Sequence, residues 1–316
     1  MLAVVIPCYQ VKTRILAVLS AIPADVDRIF VVDDACPDGT GEFVTQHCSD
    51  PRVTVLRHEK NLGVGGAMKT GYRKALEYGA DIVVKLDGDG QMDPALIPGL
   101  VKPITGGAAD YVKGNRFYDI TYLRKMPGMR RFGNSIISFI SKMSSGYWNL
   151  MDPSNGFTAI SAAALRYLPL DRITNRYFFE SDMLFRLNTI RAVVHDFPMK
   201  AVYNGENSSL KIWRVSMVFP FQYLSRTFKR IFYNYFLRDF NIGSFDLVIA
   251  FLFLAFGFIF GAIKWNVSIE SSHPATAGTV LLAGLPIILG FQALISFLHY
   301  DVGNIPQKSI TSMSLG

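Results

Sequence analysis

Asp87 and Asp89 stand two residues apart in the stretch KLDGDGQMDP, with Gly88 between them, Gln91 after them and a third carboxylate at Asp93. Carboxylates this close repel one another, and a divalent cation relieves the repulsion. Mg²⁺ and Mn²⁺ are hard ions, held by one or two carboxylates together with phosphate oxygens of a substrate. Gly88 and Gly90 let backbone and ligand approach closely. The cluster is therefore a candidate divalent-metal site. A solvated acidic turn has a similar composition. The apolar, β-branched run ADIVVKL before it favours a strand end, and the carboxyl ends of strands are where open α/β sheets bind ligands.

The elements that must position this cluster follow from hydrophobic periodicity. LAVVIPCY reads as a first buried strand, and VKTRILAVLSAI as a helix with Ile15, Leu16, Leu19 and Ile22 on one side. DRIFVVDDACPDGT reads as a second strand ending in acids, RVTVLRHEKN as a third and ADIVVKL as a fourth. The helix GVGGAMKTGYRKALEYG precedes the fourth strand, with Gly79 suited to its C-cap. Strands and helices alternating at this period predict a parallel, doubly wound sheet. The strand ends PCYQ, DDACPDGT and DGDGQ should then converge on one cleft. NLGVGGAMKTG matches neither the Walker A spacing nor G-x-G-x-x-G. It has two readings: phosphate binding at a helix N-terminus, or a glycine-rich turn with tight helix packing.

Composition divides the 316 residues unevenly. Residues 1–210 read as an α/β domain. Leu247–Ile263 and Thr276–Leu298 are uncharged apolar runs, each long enough to cross a hydrocarbon core. The short loop between them predicts a hairpin with both chain ends on one side. Between Lys211 and Asp239, ahead of the first run, Lys211, Arg214, Arg226, Lys229, Arg230 and Arg238 stand against a single acid, Asp239, which places that side in the cytoplasm. The N-terminus lacks a basic leader and is broken by Pro7, so it reads as a strand rather than a signal peptide. Cys8, Cys36 and Cys48 have no metal-ligand spacing and read as reduced thiols.

VVIPCY, VVDDACPDGT, NLGVGGAMKTGYRKAL, LDGDGQMDP and DPSNGF, taken in order, resemble the family 2 glycosyltransferases. Within them the chain is similar to the polyprenyl-phosphate glycosyltransferases, relatives of dolichol-phosphate mannose synthase. The resemblance covers about residues 1–210. It implies an α/β GT-A (Rossmann-like) catalytic domain, a nucleotide-diphosphate sugar donor, Mg²⁺ or Mn²⁺, and inversion at the sugar. Asp33 and Asp34 match acids that hold base and ribose. Pro7, Tyr9, Gly63 and Lys69 fall in the matching donor-site motifs. Asp87, Asp89 and Gln91 match the metal and diphosphate site, with Asp89 the expected direct ligand. Asp152 matches an acid facing the donor sugar or the acceptor, so Asp89 and Asp152 are the catalytic candidates. Glu180 and Asp182 stand near an acidic pair often found in the family. One departure is Gln10-Val11, where the family usually reads Asn-Glu after the tyrosine. This removes the glutamate expected to contact ribose.

The resemblance implies a lipid acceptor, undecaprenyl or dolichyl phosphate. Residues 113–131 carry Lys113, Arg116, Arg124, Lys125, Arg130 and Arg131 against Asp119 alone. The apolar stripe Phe132, Ile136, Ile137, Phe139, Ile140 and Met143 follows. A basic amphipathic helix of this kind suits the membrane interface, or else a packed surface helix with a solvated face. Arg116, Arg131, Ser135 and Lys211 are the candidate contacts to the acceptor phosphate, Arg being favoured by its planar fork. The expected organisation is a cytoplasmic GT-A domain over 1–210, amphipathic interfacial helices over 211–243, two transmembrane helices over 244–300 and a cytoplasmic tail over 301–316. Such a chain is a multi-pass cell-membrane enzyme and an expected homo-oligomer. Nucleic acid is excluded as a partner of the basic, aromatic stretches by the uncharged runs directly downstream. Two rival functions are a processive polysaccharide synthase and an inactive scaffold subunit. The first is disfavoured by too few spans and no Q-x-x-R-W motif, the second by the intact acid cluster.

Overall fold

The structure, a computed structural model, describes residues 1–118, 128–200 and 212–314. Its first compact unit comprises Met1–Arg230 with Pro306–Gly316, and its second Ile231–Ile305.

The first unit is built on seven strands in the order β3-β2-β1-β4-β6-β5-β7. They are β1 (Leu2–Cys8), β2 (Arg28–Asp33), β3 (Val53–Arg57), β4 (Ile82–Lys85), β5 (Tyr111–Asn115), β6 (Thr158–Ser161) and β7 (Val194–Pro198). β1 to β4 pair in parallel, as the alternation of elements predicts. β6 does not: it runs antiparallel to both neighbours, so the sheet is mixed. The loop 152–157 that leads into β6 already lies at the carboxyl edge beside Asp87. A strand leaving from that edge can only run back down the sheet.

One face of the sheet carries Val4, Ile6, Ile29, Val31, Val84, Val112 and Ala159. They share a core with α1 (Ile15–Ser20) and α4 (Ile97–Thr105), through Ile15, Leu19, Ile97, Leu100 and Ile104. The elements over the other face include α3 (Val64–Glu77), where Gly71 allows the close approach: a Cβ there would lie 2.2 Å from Val5. Between these come α2 (Thr40–His47), α5 (Gly128–Ser145), α6 (Ala162–Tyr167), α7 (Phe179–Thr189) and α8 (Ile212–Phe232).

α5 is turned inside out for a soluble helix. Ser141, Ser144 and Ser145 are buried, while Phe132 is 65% exposed and Phe139 55%. α8 is tied to α7 by Tyr223 against Ser181 at 2.8 Å and by Arg226 on Asp182 at 2.8 Å. After the second unit the chain rejoins the first through α11 (Ile310–Ser314), whose first amides meet the buried carboxylate of Asp110. Asp110 accepts from Ile310 N at 3.0 Å and Thr311 N at 2.9 Å.

In the second unit, α9 (Ile242–Ser271) and α10 (Ala277–Gly303) are both long and apolar enough to cross a membrane, and most of each span is exposed. Gly257 and Gly290 bring the two together, since a Cβ on either would lie within 3 Å of Ile287 or Leu254 respectively. Asn241 and Ser244 form a reciprocal cap at the start of α9. Tyr235 donates to Asp301 at 2.6 Å, so a buried acid at the end of α10 is not left unpaired.

Candidate functional site

The carboxyl ends of β1, β2 and β4 lie side by side in register, with Cys8 opposite Asp33 and Val5 opposite Lys85. Asp34 N donates to Cys8 O at 3.1 Å, and Arg14 donates to Asp89 O at 3.0 Å. The three polar strand ends therefore converge as expected. Gln10 and Ala35 bound this edge in left-handed conformations, φ 59° and 55°. Non-glycine residues pay strain to stay there. Pro7 lies within β1, and Tyr9 is 48% exposed beyond it.

Asp33 and Asp34 are both occupied in shaping the rim. Asp33 accepts from Cys36 N at 2.7 Å and Gly41 N at 2.6 Å, which anchors the start of α2. Asp34 accepts from Leu62 N at 2.8 Å and Gly63 N at 2.7 Å, and meets His58 Nδ1 at 2.7 Å. The glycine-rich start of α3 shows the tight-packing reading. The amides of Gly65 and Gly66 donate to Asn175 O, and a Cβ on Gly65 would lie 2.2 Å from Thr174 O. Lys69 is buried and donates to Ile173 O at 3.0 Å. Gly63 and Lys69 thus hold segment 173–175.

Asp87 and Asp89 sit on the turn after β4. Lys85, buried at the end of that strand, donates to Asp87 Oδ1 at 2.8 Å and lies 3.3 Å from Glu180 Oε1. Burial alone would lower this lysine, but the two carboxylates hold it well above its ordinary value. The other oxygen of Asp87 faces Gly156, whose missing Cβ would lie 2.7 Å away. Asp89 Oδ1 accepts from Gln91 N at 3.0 Å, and Asp93 caps the next short helix through Ala95 N. Among the described residues no three His, Cys, Asp or Glu side chains are grouped so that they alone could hold a metal ion. Two carboxylates on a glycine-flanked turn still fit Mg²⁺ or Mn²⁺, which take their remaining ligands from phosphates and water.

Asp152 is fully buried, and Arg116 grips it with both arms: Nε to Oδ2 at 2.7 Å and a terminal nitrogen to Oδ1 at 3.0 Å. Two residues expected to contact substrate separately are thus paired with each other. Glu180 faces Lys85, whereas Asp182 is an internal hub that accepts from Thr174 N, Arg186 and Arg226. A cavity of about 560 Å³ is lined by Phe117, Arg131, Ser135, Phe139, Lys142 and, among others, Met151, the residue before Asp152. Ser135 donates to Arg131 O at 3.0 Å. Lys211 lies outside the described residues.

The sequence gives no signal for His58, Lys85, Lys142 or Asp196 as site residues, and Lys113, expected in a basic interfacial stretch, is instead a fully buried residue of β5. Burial drives Lys113 down to about 8 and Asp196 up to about 6. Burial also lifts Cys8, and lifts Cys36 to about 11, so neither thiol is an activated nucleophile.

A mixed α/β sheet with an acid turn at its carboxyl edge and a second acid on the facing loop defines the GT-A glycosyltransferase fold. Comparison with known proteins carries this further. The model of the family Glycosyl transferase family 2 matches residues 3–168, and the chain belongs to that family. It is 31% identical over 213 residues to UDP-N-acetylglucosamine–dolichyl-phosphate N-acetylglucosaminyltransferase of Methanococcus voltae, covering 63% of this chain and 84% of that one. It is 35% identical over 176 residues to undecaprenyl-phosphate mannosyltransferase of Micrococcus luteus, covering 55% and 71%. Glucosyl-3-phosphoglycerate synthase of Mycobacterium tuberculosis, solved with Mn²⁺ and UDP-glucose, superposes with a TM-score of 0.54 at 21% identity, over 72% of this chain and 79% of that one. At that identity the likeness speaks for the fold.

Proposed function

We propose that this glycosyltransferase moves a sugar from a nucleotide-diphosphate donor to a polyprenyl phosphate at the cytoplasmic face of a membrane, with inversion. The observation that carries the reading is the cavity of Arg131, Ser135 and Lys142, a cationic pocket walled in part by Met151, the residue before Asp152, on a helix whose aromatic side chains point outward. An anionic headgroup suits the cations, and a lipid surface suits Phe132, Ile136, Ile137 and Phe139. The two apolar helices of the same chain support an acceptor that never leaves the bilayer. The matched relatives named for dolichyl-phosphate and undecaprenyl-phosphate transfer support the same acceptor class.

Asp87 and Asp89 would hold Mg²⁺ or Mn²⁺ together with the donor diphosphate, and the ion would supply countercharge for the leaving nucleoside diphosphate. The neighbour solved with Mn²⁺ and UDP-glucose supports that cofactor. Tyr9, Gln10 and the rim built by Asp33 and Asp34 would receive the nucleoside. The nucleophile is a phosphate oxygen, already anionic at neutral pH, so no strong base is required. Asp152, held by Arg116, would orient the reacting groups.

The proposed organisation keeps the catalytic domain and both termini in the cytoplasm, with interfacial helices over 211–243, spans within 244–300 and the tail over 301–316. Self-association in the membrane is also proposed, because the second unit leaves much apolar surface exposed. The test is to incubate the purified full chain with a panel of nucleotide sugars, Mn²⁺ and undecaprenyl phosphate, and to identify lipid products by mass spectrometry. A polyprenyl-phosphate sugar is expected. Polymer, or no lipid product with any donor, overturns the reading. A reporter fused after Gly316 and reached only from outside overturns the topology.

A further inference from the structure

The carboxyl edge of the sheet carries polar residues where a buried layer should be apolar. Lys85 on β4 is in register with Thr158 on β6, Thr158 with Lys113 on β5, and Lys113 with Asp196 on β7. Residues in register share a face of the sheet. One row further in, the same face carries Val83, Ile160, Tyr111 and Val194. The polar row is therefore a single layer laid across the end of an otherwise apolar face. Lys85 and Thr158 are 1% exposed and Lys113 is not exposed at all. An ammonium is taken out of water only at a cost, which some arrangement must offset.

The two lysines hold successive carbonyls of the loop that carries Asp152. Lys113 donates to Asn155 O, and Lys85 to Gly156 O at 3.3 Å. Lys85 also binds Asp87, so one end of the row is the acid turn. At the other end Asp196 Oδ2 accepts from Met151 N and from Asn115 Nδ2, both at 3.0 Å. Met151 in turn lines the cationic cavity. The row thus runs from the donor-side turn, beneath segment 151–156, to the wall of the acceptor-side cavity.

Lys85 is accounted for by its two carboxylates. Lys113 is not: it makes no ion pair among the described residues. The neighbouring Asp196 Oδ1 is buried without a hydrogen-bond partner. An ammonium whose only hydrogen bond among the described residues is to the loop carbonyl is well placed to set that loop and poorly explained as a fold stabiliser. The charged groups that act on it are Glu180 on α7, Asp152 on the loop, Lys85 on β4, Arg116 after β5 and Asp196 on β7. Burial leaves it charged at neutral pH and discharges it in mild alkali, near 8.

We propose that Lys113 is a positioning residue for transfer: through the Asn155 carbonyl it sets segment 151–156, and with it Asp152 and the Met151 wall, against the donor-side turn at Asp87. It does not touch substrate, since it is fully buried beneath the loop. The proposal rests on the transfer reaction proposed above, and its test has one arm that does not.

Lys113→Met keeps length and removes the charge; Lys113→Arg keeps the charge at any accessible pH. In Lys113→Met, kcat should fall roughly 10- to 100-fold, the scale of a reacting group displaced by an ångström, with donor affinity unchanged. Lys113→Arg should recover much of that loss and move the alkaline limb of the rate profile above the wild-type position. A purely structural lysine would alter melting without moving that limb. Wild-type kcat in Lys113→Met, or an alkaline limb unmoved in Lys113→Arg, overturns the proposal.

Hydrogen exchange of the wild-type chain needs neither variant nor substrate. Exchange across 151–157, corrected for its intrinsic pH dependence, should rise as pH passes about 8, while α3 stays protected. A flat profile there also overturns the proposal, even if the variants do not fold. A wild-type chain that transfers no sugar to lipid refutes the proposed function instead, and the exchange arm still decides the role of Lys113.

Discussion

Arg131 and Arg116 should respond to truncation in opposite ways, because one faces an open cavity and the other a buried acid. The Arg131 guanidinium is exposed and has no carboxylate partner among the described residues. Arg131→Ala therefore leaves no buried group unpaired, and stability should change by no more than about 0.5 kcal/mol. If the guanidinium binds the acceptor phosphate, its loss removes a charge-assisted hydrogen bond of roughly 1.5–3 kcal/mol. That is about ten- to a hundred-fold in rate if the bond acts in the transition state. Arg116→Ala instead removes the cation bound at 2.7 and 3.0 Å to Asp152, which is 0% exposed, and leaves that carboxylate the amide of residue 116 and the Ser154 hydroxyl. Breaking a buried pair costs about 3–5 kcal/mol, so melting should fall by roughly 10 °C. The assay measures initial rates with a short-chain polyprenyl phosphate dispersed in detergent, alongside calorimetric donor binding and thermal melts. A dispersed acceptor matters because a residue that only neutralises headgroups would be dispensable there. Near-normal turnover by Arg131→Ala would reduce it to a surface charge. A wild-type melt in Arg116→Ala would refute the view that Asp152 depends on its partner.

Asp89→Ala should abolish transfer and weaken donor binding in Mg²⁺ or Mn²⁺, since the diphosphate would then lack its countercharge; full activity in EDTA would remove the metal from the reaction. Asp196 is raised by burial from 3.8 to about 6, so folding favours its protonated form. The stability this contributes is complete below pH 4 and lost as pH rises through 6, at most about 3 kcal/mol. Asp196→Asn should flatten that decline in melts between pH 4 and 7, and an unchanged slope would assign it to other groups. Removing residues 306–316 should lower melting of the first unit, because buried Asp110 loses the amides of Ile310 and Thr311 and keeps, among the described residues, Val193 N; unchanged melting would mean that α11 does not hold there.

Much of this chain is legible because its signals are local. Asp87, Gly88 and Asp89 follow an apolar run, and a turn after a buried strand needs nothing distant to form. The apolar helices at 242–271 and 277–303 are equally local, since length and lack of charge suffice. Interactions of the kind that only a folded backbone assembles were not legible. Lys85, Lys113 and Asp196 are separated by up to 111 positions in the sequence, and only the order β4-β6-β5-β7 lays them in one row. Without that register, a lysine within a strand reads as a solvated break in its hydrophobicity. The glycines at 63–66 look like a phosphate cradle until segment 173–175 is seen lying against them. Arg116 and Asp152 read as separate substrate contacts until the fold closes them into a pair. Residue types at close spacing determine which chemistry is possible, because charge and hydrogen-bonding capacity belong to each side chain. Which partner uses that capacity is decided by tertiary structure, because every buried donor and acceptor must find its match among whatever the chain brings within about 3 Å.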